Sequence, residues 1–356
     1  MSWLIFALAA LVLAALEYFW AGYAVKALRF HGGCSDTLAE PGQIVTWSGT
    51  VENTGKLPVP FVRLTERFPK DARVREPEAW VRSHCVDNML QWYAEEKMSL
   101  LPRQSRTRNL RMSFPARGVY AIGSYQLAAG DLLGFRENGV SGDWQEIVIM
   151  PERSGNAVSL DALGGFLGDV SVRRFILEDP ILTVGFREYT GREPMKSISW
   201  TRTAAAGSLQ VKQYDHTAER HIIVLLNVEG ATPEELEESF RLTRSVCEAL
   251  EQKKIPYGFR TNGNLTGPIG KVFRMPEGLG SRHKNTILYG LGRADKTCFY
   301  SFRYLTEQSL RARKGNESYI VITPPLTAHS RACMNALEAK VGGGVCLLIA
   351  KGEETP

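Results

Sequence analysis

In the first half of the chain the hydrophobic positions recur with a period of two. Val45, Trp47 and Val51 alternate with small polar residues, and the segment Leu110–Phe114 repeats the pattern. Because successive side chains of a strand point to opposite faces, this alternation predicts strands with one buried face. Short strands separated by Gly, Pro and Asn turns indicate a β-sandwich-like domain over residues 30–150.

The pattern changes in the second half. The segment His221–Glu229 is almost continuously apolar, as in a strand buried on both faces of a sheet. Thr232 and Glu235 have the spacing of a capping box, which predicts the start of a helix. Apolar strands and amphipathic helices then alternate to the C-terminus, which is typical of a parallel sheet covered on both faces. We therefore predict a Rossmann-like α/β domain over residues 221–356, preceded by a linking segment, residues 151–220.

The N-terminal segment is apolar without a period. It runs from Trp3 to Val25 with Glu17 as its single charge, and a helix of that length crosses a hydrocarbon core of about 30 Å. This predicts a transmembrane anchor over residues 1–29. Lys26 and Arg29 follow it, so the positive-inside rule predicts a single-pass protein of the cell membrane with the bulk of its chain in the cytoplasm. The alternative is a helix buried in a protein core.

The single charge in that segment has a consequence for assembly. Glu17 is costly in lipid, which favours contact with another helix. We therefore expect a homo-oligomer formed through the anchor, or a partner helix beside it.

Composition, charge and cysteine spacing argue against nucleic-acid binding and against a structural zinc site. The chain is 44% hydrophobic and 23% charged, as expected of a globular protein. Its formal net charge of +5 is small for 356 residues and no long run of basic residues occurs, which argues against nucleic-acid binding. The 6 cysteines show no CxxC spacing, so a structural zinc site is not predicted, and their scatter favours a reducing compartment.

No catalytic or cofactor-binding motif is present in the sequence. It contains no Walker GxxxxGK[ST] segment and neither the GxSxG nor the HExxH motif of hydrolases. The glycine-rich stretch at Gly290 follows a helical pattern instead of a strand, so it does not predict a dinucleotide site. We therefore predict a protein that is not an enzyme and needs no cofactor. An enzyme acting on cell-envelope material is the less favoured alternative.

Polar residues at the end of the first apolar strand are the candidate metal ligands. Ligands of an open parallel sheet bind beyond the carboxyl ends of its strands. There Asn227 and Glu229 offer oxygen atoms to a divalent cation, whereas Ala231 offers none. These two residues are weak candidates for a metal site. The alternative is a polar loop that leads to the helix starting after Thr232.

The segment Phe186–Ala204 combines many charges with large apolar side chains. The residues singled out here are Arg187, Glu188, Tyr189, Glu193, Lys196, Ile198, Trp200 and Arg202. Pro194 suits the first turn of a short helix, Arg202 is expected to stack on Trp200, and the charged residues are placed to pair across the turn. Two interpretations stay open. The segment is a structural clamp, or it is a docking surface, because Trp and Arg are enriched in interface hot spots.

The same segment resembles the signature of the domain-of-unknown-function family 58, a family of bacterial and archaeal membrane proteins. The family carries an Arg-Glu-Tyr triplet followed by Arg-x-Ile-x-Trp. This chain has the triplet at residues 187–189 and a Lys-x-Ile-x-Trp run at 196–200, with Gly-Arg-Glu at 191–193 in place of the family's Pro-Gly-Asp turn. Upstream, the segment Arg117–Tyr120 resembles the Arg-Gly-x-Tyr of the family.

The resemblance implies a fold and a role but no reaction. It implies a C-terminal domain similar to von Willebrand factor A domains, and Asn227, Glu229 and Ala231 stand where those domains carry the metal motif Asp-x-Ser-x-Ser. It also implies a membrane-anchored accessory or scaffold protein that binds a protein partner. Genes of this family commonly accompany MoxR-type AAA+ ATPases, which are the implied partner. A metal-dependent binding module is the alternative function.

Overall fold

The computed structural model describes residues 2–75, 91–130, 137–177, 183–191, 195, 198–214, 221–265, 274–313, 317–341 and 344–351. The chain divides into two compact units. Unit 1 comprises Met1–Glu152 and Leu288–Ala294, and unit 2 comprises Arg153–Ile287 and Asp295–Pro356.

The elements up to residue 149 are one long N-terminal helix followed by strands. They are α1 (Ser2–Ala27), β1 (Leu28–Cys34), β2 (Leu38–Ala39), β3 (Val45–Asn53), β4 (Val59–Pro69), β5 (Arg73–Arg75), β6 (Gln91–Leu100), β7 (Ser105–Ser113), β8 (Gly118–Ile122), β9 (Ser124–Gly130), β10 (Glu137–Gly142) and β11 (Gln145–Ile149).

Helices and strands are mixed in the remainder of the chain. The elements are α2 (Ala157–Leu177), β12 (Thr183–Glu188), α3 (Trp200–Ala206), β13 (Gln210–Tyr214), β14 (His221–Leu226), α4 (Pro233–Gln252), β15 (Tyr257–Thr261), β16 (Gly263–Leu265), β17 (Arg274–Gly278), α5 (Ser281–Arg293), β18 (Ala294–Cys298), α6 (Phe302–Arg311), β19 (Glu317–Thr323), α7 (Ala328–Val341) and β20 (Val345–Ile349).

Unit 1 is built on two four-stranded antiparallel sheets with the orders β1-β3-β7-β5 and β10-β9-β4-β6. A small sheet, β2-β11-β8, accompanies them. Along β3 every second residue is buried, so the alternation predicted for this strand is confirmed. Trp47 is 1% exposed and meets Phe68 of the other sheet edge-on, with ring centroids 6.2 Å apart. Burying such a side chain contributes about 1.5–3 kcal/mol.

The last turns of α1 belong to the core of unit 1. Ala24 and Ala27 are buried, and Ala24 packs in the same cluster as residues of both four-stranded sheets. Glu17 is only 8% exposed. The hydroxyl of Tyr23 accepts a hydrogen bond from the backbone N–H of Lys56 at 2.7 Å. The helix end is therefore fixed to the turn between β3 and β4.

Unit 2 contains a five-stranded sheet with the order β17-β15-β14-β19-β20. The central strand β14 is parallel to both of its neighbours, and β19 is parallel to β20. The edge strand β17 is antiparallel to β15. The capping box that begins α4 is confirmed, because the Thr232 hydroxyl accepts from the N–H of Glu235 and the Glu235 carboxylate accepts from the N–H of Thr232.

The predicted fold class, a transmembrane helix with a β-sandwich-like and a von Willebrand factor A-like domain, is wrong. No helix in the described part of the chain is long and apolar enough to cross a membrane. Antiparallel pairings predominate in the sheets, and the five-stranded sheet is mixed, not a Rossmann-like parallel sheet. The alternation of strands and helices misled the prediction because β15 is followed directly by β16, and the edge strand β17 returns antiparallel to β15. Only parallel neighbours require a long crossover connection, which is usually a helix.

Candidate functional site

The segment Phe186–Ala204 contributes to a two-stranded ribbon and a short helix in unit 2. Strands β12 and β13 pair antiparallel, with Arg187 opposite Val211. Ile198 also bridges to Val211, and the N–H of Ser199 donates to the carbonyl of Gln210 at 2.8 Å. Ile198 is 5% exposed, so it fixes the start of α3 to the ribbon. Gly207 ends the helix in the left-handed conformation, with φ 70°.

Large apolar side chains of this segment and of the adjoining Leu209 remain exposed to solvent. Phe186 is 38% exposed, Met195 68%, Trp200 61% and Leu209 41%. We call these four side chains the Trp200 surface. An exposed tryptophan on a helix whose base is held by backbone hydrogen bonds is a suitable contact group, because the backbone that carries it does not have to be ordered on binding.

The predicted stacking of Arg202 on Trp200 is wrong. The guanidinium of Arg202 lies over the ring of Phe186, 5.0 Å from its centroid. Residues two apart on a helix point to nearly opposite sides, so the side chains of Arg202 and Trp200 do not face each other. The contact adds a cation–π interaction to the surface.

The other predicted residues either make local structural contacts or lie outside the residues that the structure describes. The carboxylate of Glu188 accepts a hydrogen bond from the hydroxyl of Ser208 at 3.3 Å. The N–H of Tyr189 donates to the carbonyl of Leu209 at 2.8 Å. Glu193 and Lys196, with the ion pairs predicted for them, lie outside the described residues.

The predicted metal candidates lie at the carboxyl end of β14, in a network of amide side chains. Asn227 donates to the hydroxyl of Thr323 at 3.0 Å. Its carbonyl oxygen accepts from the N–H of Glu229 at 3.0 Å and from the amide of Asn262 at 2.8 Å. Asn262 in turn accepts from the N–H of Val228 at 2.9 Å. The oxygen that would have to bind a cation therefore already accepts two hydrogen bonds.

Glu229 caps a helix. Its carboxylate accepts from the N–H of Phe302 at 2.6 Å, at the first turn of α6. A negative charge at this end of a helix is favoured by the helix dipole. In the residues that the structure describes, no group of three or more His, Cys, Asp or Glu side chains is placed to hold a metal ion.

Sequence analysis missed two members of this network, Asn262 and Thr323. Each ends a different strand, and only the pairing of β14 with β15 and β19 brings the two side chains to Asn227. The sequence feature that could have identified them is a polar residue at the end of an apolar strand or directly after it.

Cys298 near this network is not an activated nucleophile. Burial and the negative charge of Glu229 raise the pKa of its thiol. A thiol is reactive as the thiolate, which such surroundings disfavour at neutral pH.

Comparison with known proteins adds no relative. No protein-family model matches the sequence, and no curated protein matches it. Among solved structures, the PapD-like domain 7 of human CEP192 is 12% identical, with 35% of this chain and 85% of that chain covered at a TM-score of 0.21. A non-cellulosomal cohesin from Archaeoglobus fulgidus is 14% identical, with 34% and 91% covered at a TM-score of 0.24. Similarities this low carry no conclusion about function.

Proposed function

We propose that this chain is an accessory or scaffold protein that binds a protein partner through the Trp200 surface and is not itself an enzyme. The observation that supports this most directly is the 61% exposure of Trp200 on a helix fixed by Ile198. Tryptophan and arginine dominate interface hot spots, and both occur here in Trp200 and Arg202. The partner we propose is a MoxR-type AAA+ ATPase, as the resemblance to family 58 implies.

The hydrogen bonds at the strand ends favour this proposal over a metal-dependent binding module. Asn227 and Glu229 serve the protein's own backbone and side chains. They act as structural groups, which leaves the Trp200 surface as the better candidate for contact with a partner.

The test measures binding of the purified full chain to the purified MoxR-type ATPase of the same organism by biolayer interferometry. Trp200→Ala is expected to weaken binding by about thirtyfold or more, since a hot-spot truncation costs about 2 kcal/mol or more. Trp144→Ala is the matched control, because Trp144 is another exposed tryptophan, 52% exposed, in unit 1. The control should bind like the unaltered chain.

Two results would overturn the proposal. One is that the unaltered chain does not bind the ATPase. The other is that both tryptophan variants lose affinity equally, which would show that the Trp200 surface has no special part in binding.

A further inference from the structure

Two arginines face each other on neighbouring strands of unit 2. Arg260 of β15 and Arg274 of β17 are register partners in the antiparallel pair. Partners in such a pair lie on the same face of the sheet with their Cβ atoms about 5 Å apart, and like charges in this position are destabilising. The arrangement therefore needs a physical reason.

The described part of the chain supplies no carboxylate for this pair. Neither Arg260 nor Arg274 makes a salt bridge or a side-chain hydrogen bond to the described residues, and one terminal guanidinium nitrogen of Arg260 is buried without a hydrogen-bond acceptor. An unsatisfied buried donor of this kind is uncommon in native proteins. The intervening sequence, residues 266–273, contains Lys271 and no acidic residue.

The groups around Arg260 do not neutralise it. Burial lowers the pKa of Arg260, and the charge of Arg274 lowers it further, against smaller opposite effects of Tyr319, Glu317 and Tyr300. Glu317 lies on β19, with β14 between it and β15, and its carboxylate already accepts a hydrogen bond from the hydroxyl of Tyr319. The Tyr300 hydroxyl donates to the carbonyl of Thr261 and so offers no counter-charge.

We propose that Arg260 and Arg274 form a binding site for an oxyanion of the size of phosphate. A guanidinium presents a planar set of donors that matches phosphate and carboxylate oxygens in a bidentate manner. An anion between the two side chains would remove the repulsion between them and supply an acceptor for the buried nitrogen of Arg260. The partly exposed position of the pair, with Arg274 at the surface, gives the anion access from solvent.

The first test measures binding of inorganic phosphate, and separately of acetate, to the full chain by calorimetry at constant ionic strength in chloride buffer. The unaltered chain should bind phosphate, and Arg274→Gln and Arg260→Gln should each weaken that binding at least tenfold. Arg282→Gln is the matched control, because Arg282 is an exposed arginine on α5, and it should leave binding unchanged. Tighter binding of acetate than of phosphate would identify the ligand group as a carboxylate.

Absence of binding of both anions, or an equal loss in all three variants, would overturn the proposal. A second measurement is independent of ligand affinity. Arg260→Met, which removes the charge but keeps a long side chain, should raise the melting temperature in phosphate-free buffer, and added phosphate should no longer raise it further. A lowered melting temperature would show that Arg260 is a structural residue, which contradicts a ligand site.

Discussion

Arg108 in unit 1 is buried and Arg260 in unit 2 is partly buried, and their surroundings differ. Arg108 forms a salt bridge with Glu66, which is fully buried, and a second with Glu96 at 3.4 Å. Glu66 also accepts a hydrogen bond from the indole N–H of Trp47 at 2.8 Å. Arg260 instead faces Arg274. The first arginine is paired with two carboxylates, whereas the second has no carboxylate partner among the described residues.

The buried ion pairs of unit 1 have a structural role. Trp47 and Arg108 lie on one four-stranded sheet, and Glu66 and Glu96 lie on the other, so the ion pairs connect the two sheets through the core. Burial lowers the pKa of Arg108 to about 10, which still leaves it charged beside Glu66 at neutral pH. A buried pair of this kind favours one relative placement of the sheets, since any other placement leaves a charge unpaired.

Unit 2 also contains a buried arginine that is paired with a carboxylate. Arg244 is 2% exposed, and its Nε donates to the carboxylate of Glu248 at 2.9 Å. The difference therefore lies between Arg260 and the paired arginines, and it is not a general difference between the two units. A buried arginine that is already paired has its charge compensated within the fold, whereas an arginine placed against another arginine is available for a ligand.

The largest expected effect comes from breaking the buried pair in unit 1. Glu66→Gln keeps the size of the side chain and an acceptor for Trp47 but leaves Arg108 with Glu96, 3.4 Å away, as its remaining counter-charge. We expect a loss of about 3 kcal/mol in the free energy of unfolding, because a buried charge that loses its fully buried partner is strongly destabilising. Urea denaturation of the full chain, followed by tryptophan fluorescence, measures it.

The control for this prediction is a surface ion pair in the same unit. Glu95 is 44% exposed and lies 3.8 Å from Arg63, so Glu95→Gln should change the free energy of unfolding by about 1 kcal/mol or less. If Glu66→Gln changed the free energy of unfolding as little as this control, the buried pair would have no structural role. Arg108 could then no longer be contrasted with Arg260 as a structural arginine.

A smaller effect is expected from placing a charge in the neutral network of unit 2. Asn227→Asp replaces a donor to Thr323 by a second oxygen at a position that is 1% exposed. We expect a loss of about 2–3 kcal/mol, because the new carboxylate is buried and its contact with the hydroxyl is rearranged. Asn335→Asp, at an exposed position of α7, is the matched control and should be nearly neutral.

The same variant sharpens the question of cation binding. If millimolar Mg²⁺ restores the stability of Asn227→Asp but does not affect Asn335→Asp, the strand ends can hold a cation once a carboxylate is present. That outcome would weaken the view that this network is structural only. Equal stability with and without Mg²⁺ is the expected result.

Sequence reasoning succeeded where the structural signal is local. The capping box of Thr232 and Glu235 depends on residues three apart, and the alternation along β3 depends on one strand, so both were predicted correctly. The N-terminal segment shows the limit of this approach. Its apolar composition is visible in the sequence, but the packing of Ala24 depends on strands that follow it.

Contacts between distant segments could not be predicted in the same way. Arg202 lies on Phe186 because β12 and β13 pair beside α3. The prediction considered only Trp200, the aromatic neighbour of Arg202 in sequence, and so missed this contact. The pairing of Arg260 with Arg274 depends on the register of an antiparallel edge strand after an irregularity in the ladder. The exposure of Trp200 fits the docking interpretation of the sequence, which stays a proposal.

The smallest of these effects is expected at Glu248, and it depends on pH. Burial raises the pKa of this carboxyl, but hydrogen bonds from Arg153 and Arg244 together outweigh burial and lower it below its ordinary value of 4.5. A carboxyl whose pKa is lowered by folding stabilises the protein at pH values above the ordinary pKa, and the contribution is lost as the pH falls through the lowered pKa.

Glu248→Gln should therefore destabilise the protein at pH 7. The cost should be only about 1–2 kcal/mol, because water reaches this partly exposed pair. Unfolding measured from pH 7 to pH 3 should show the variant and the unaltered chain converging at the acid end, while Glu307→Gln, at a solvent-exposed pair with Arg303, should change little at any pH. A difference that persists undiminished at pH 3 would mean that Glu248 stabilises α4 through packing and not through its charge, and Arg244 would then no longer serve as the paired counterpart of Arg260.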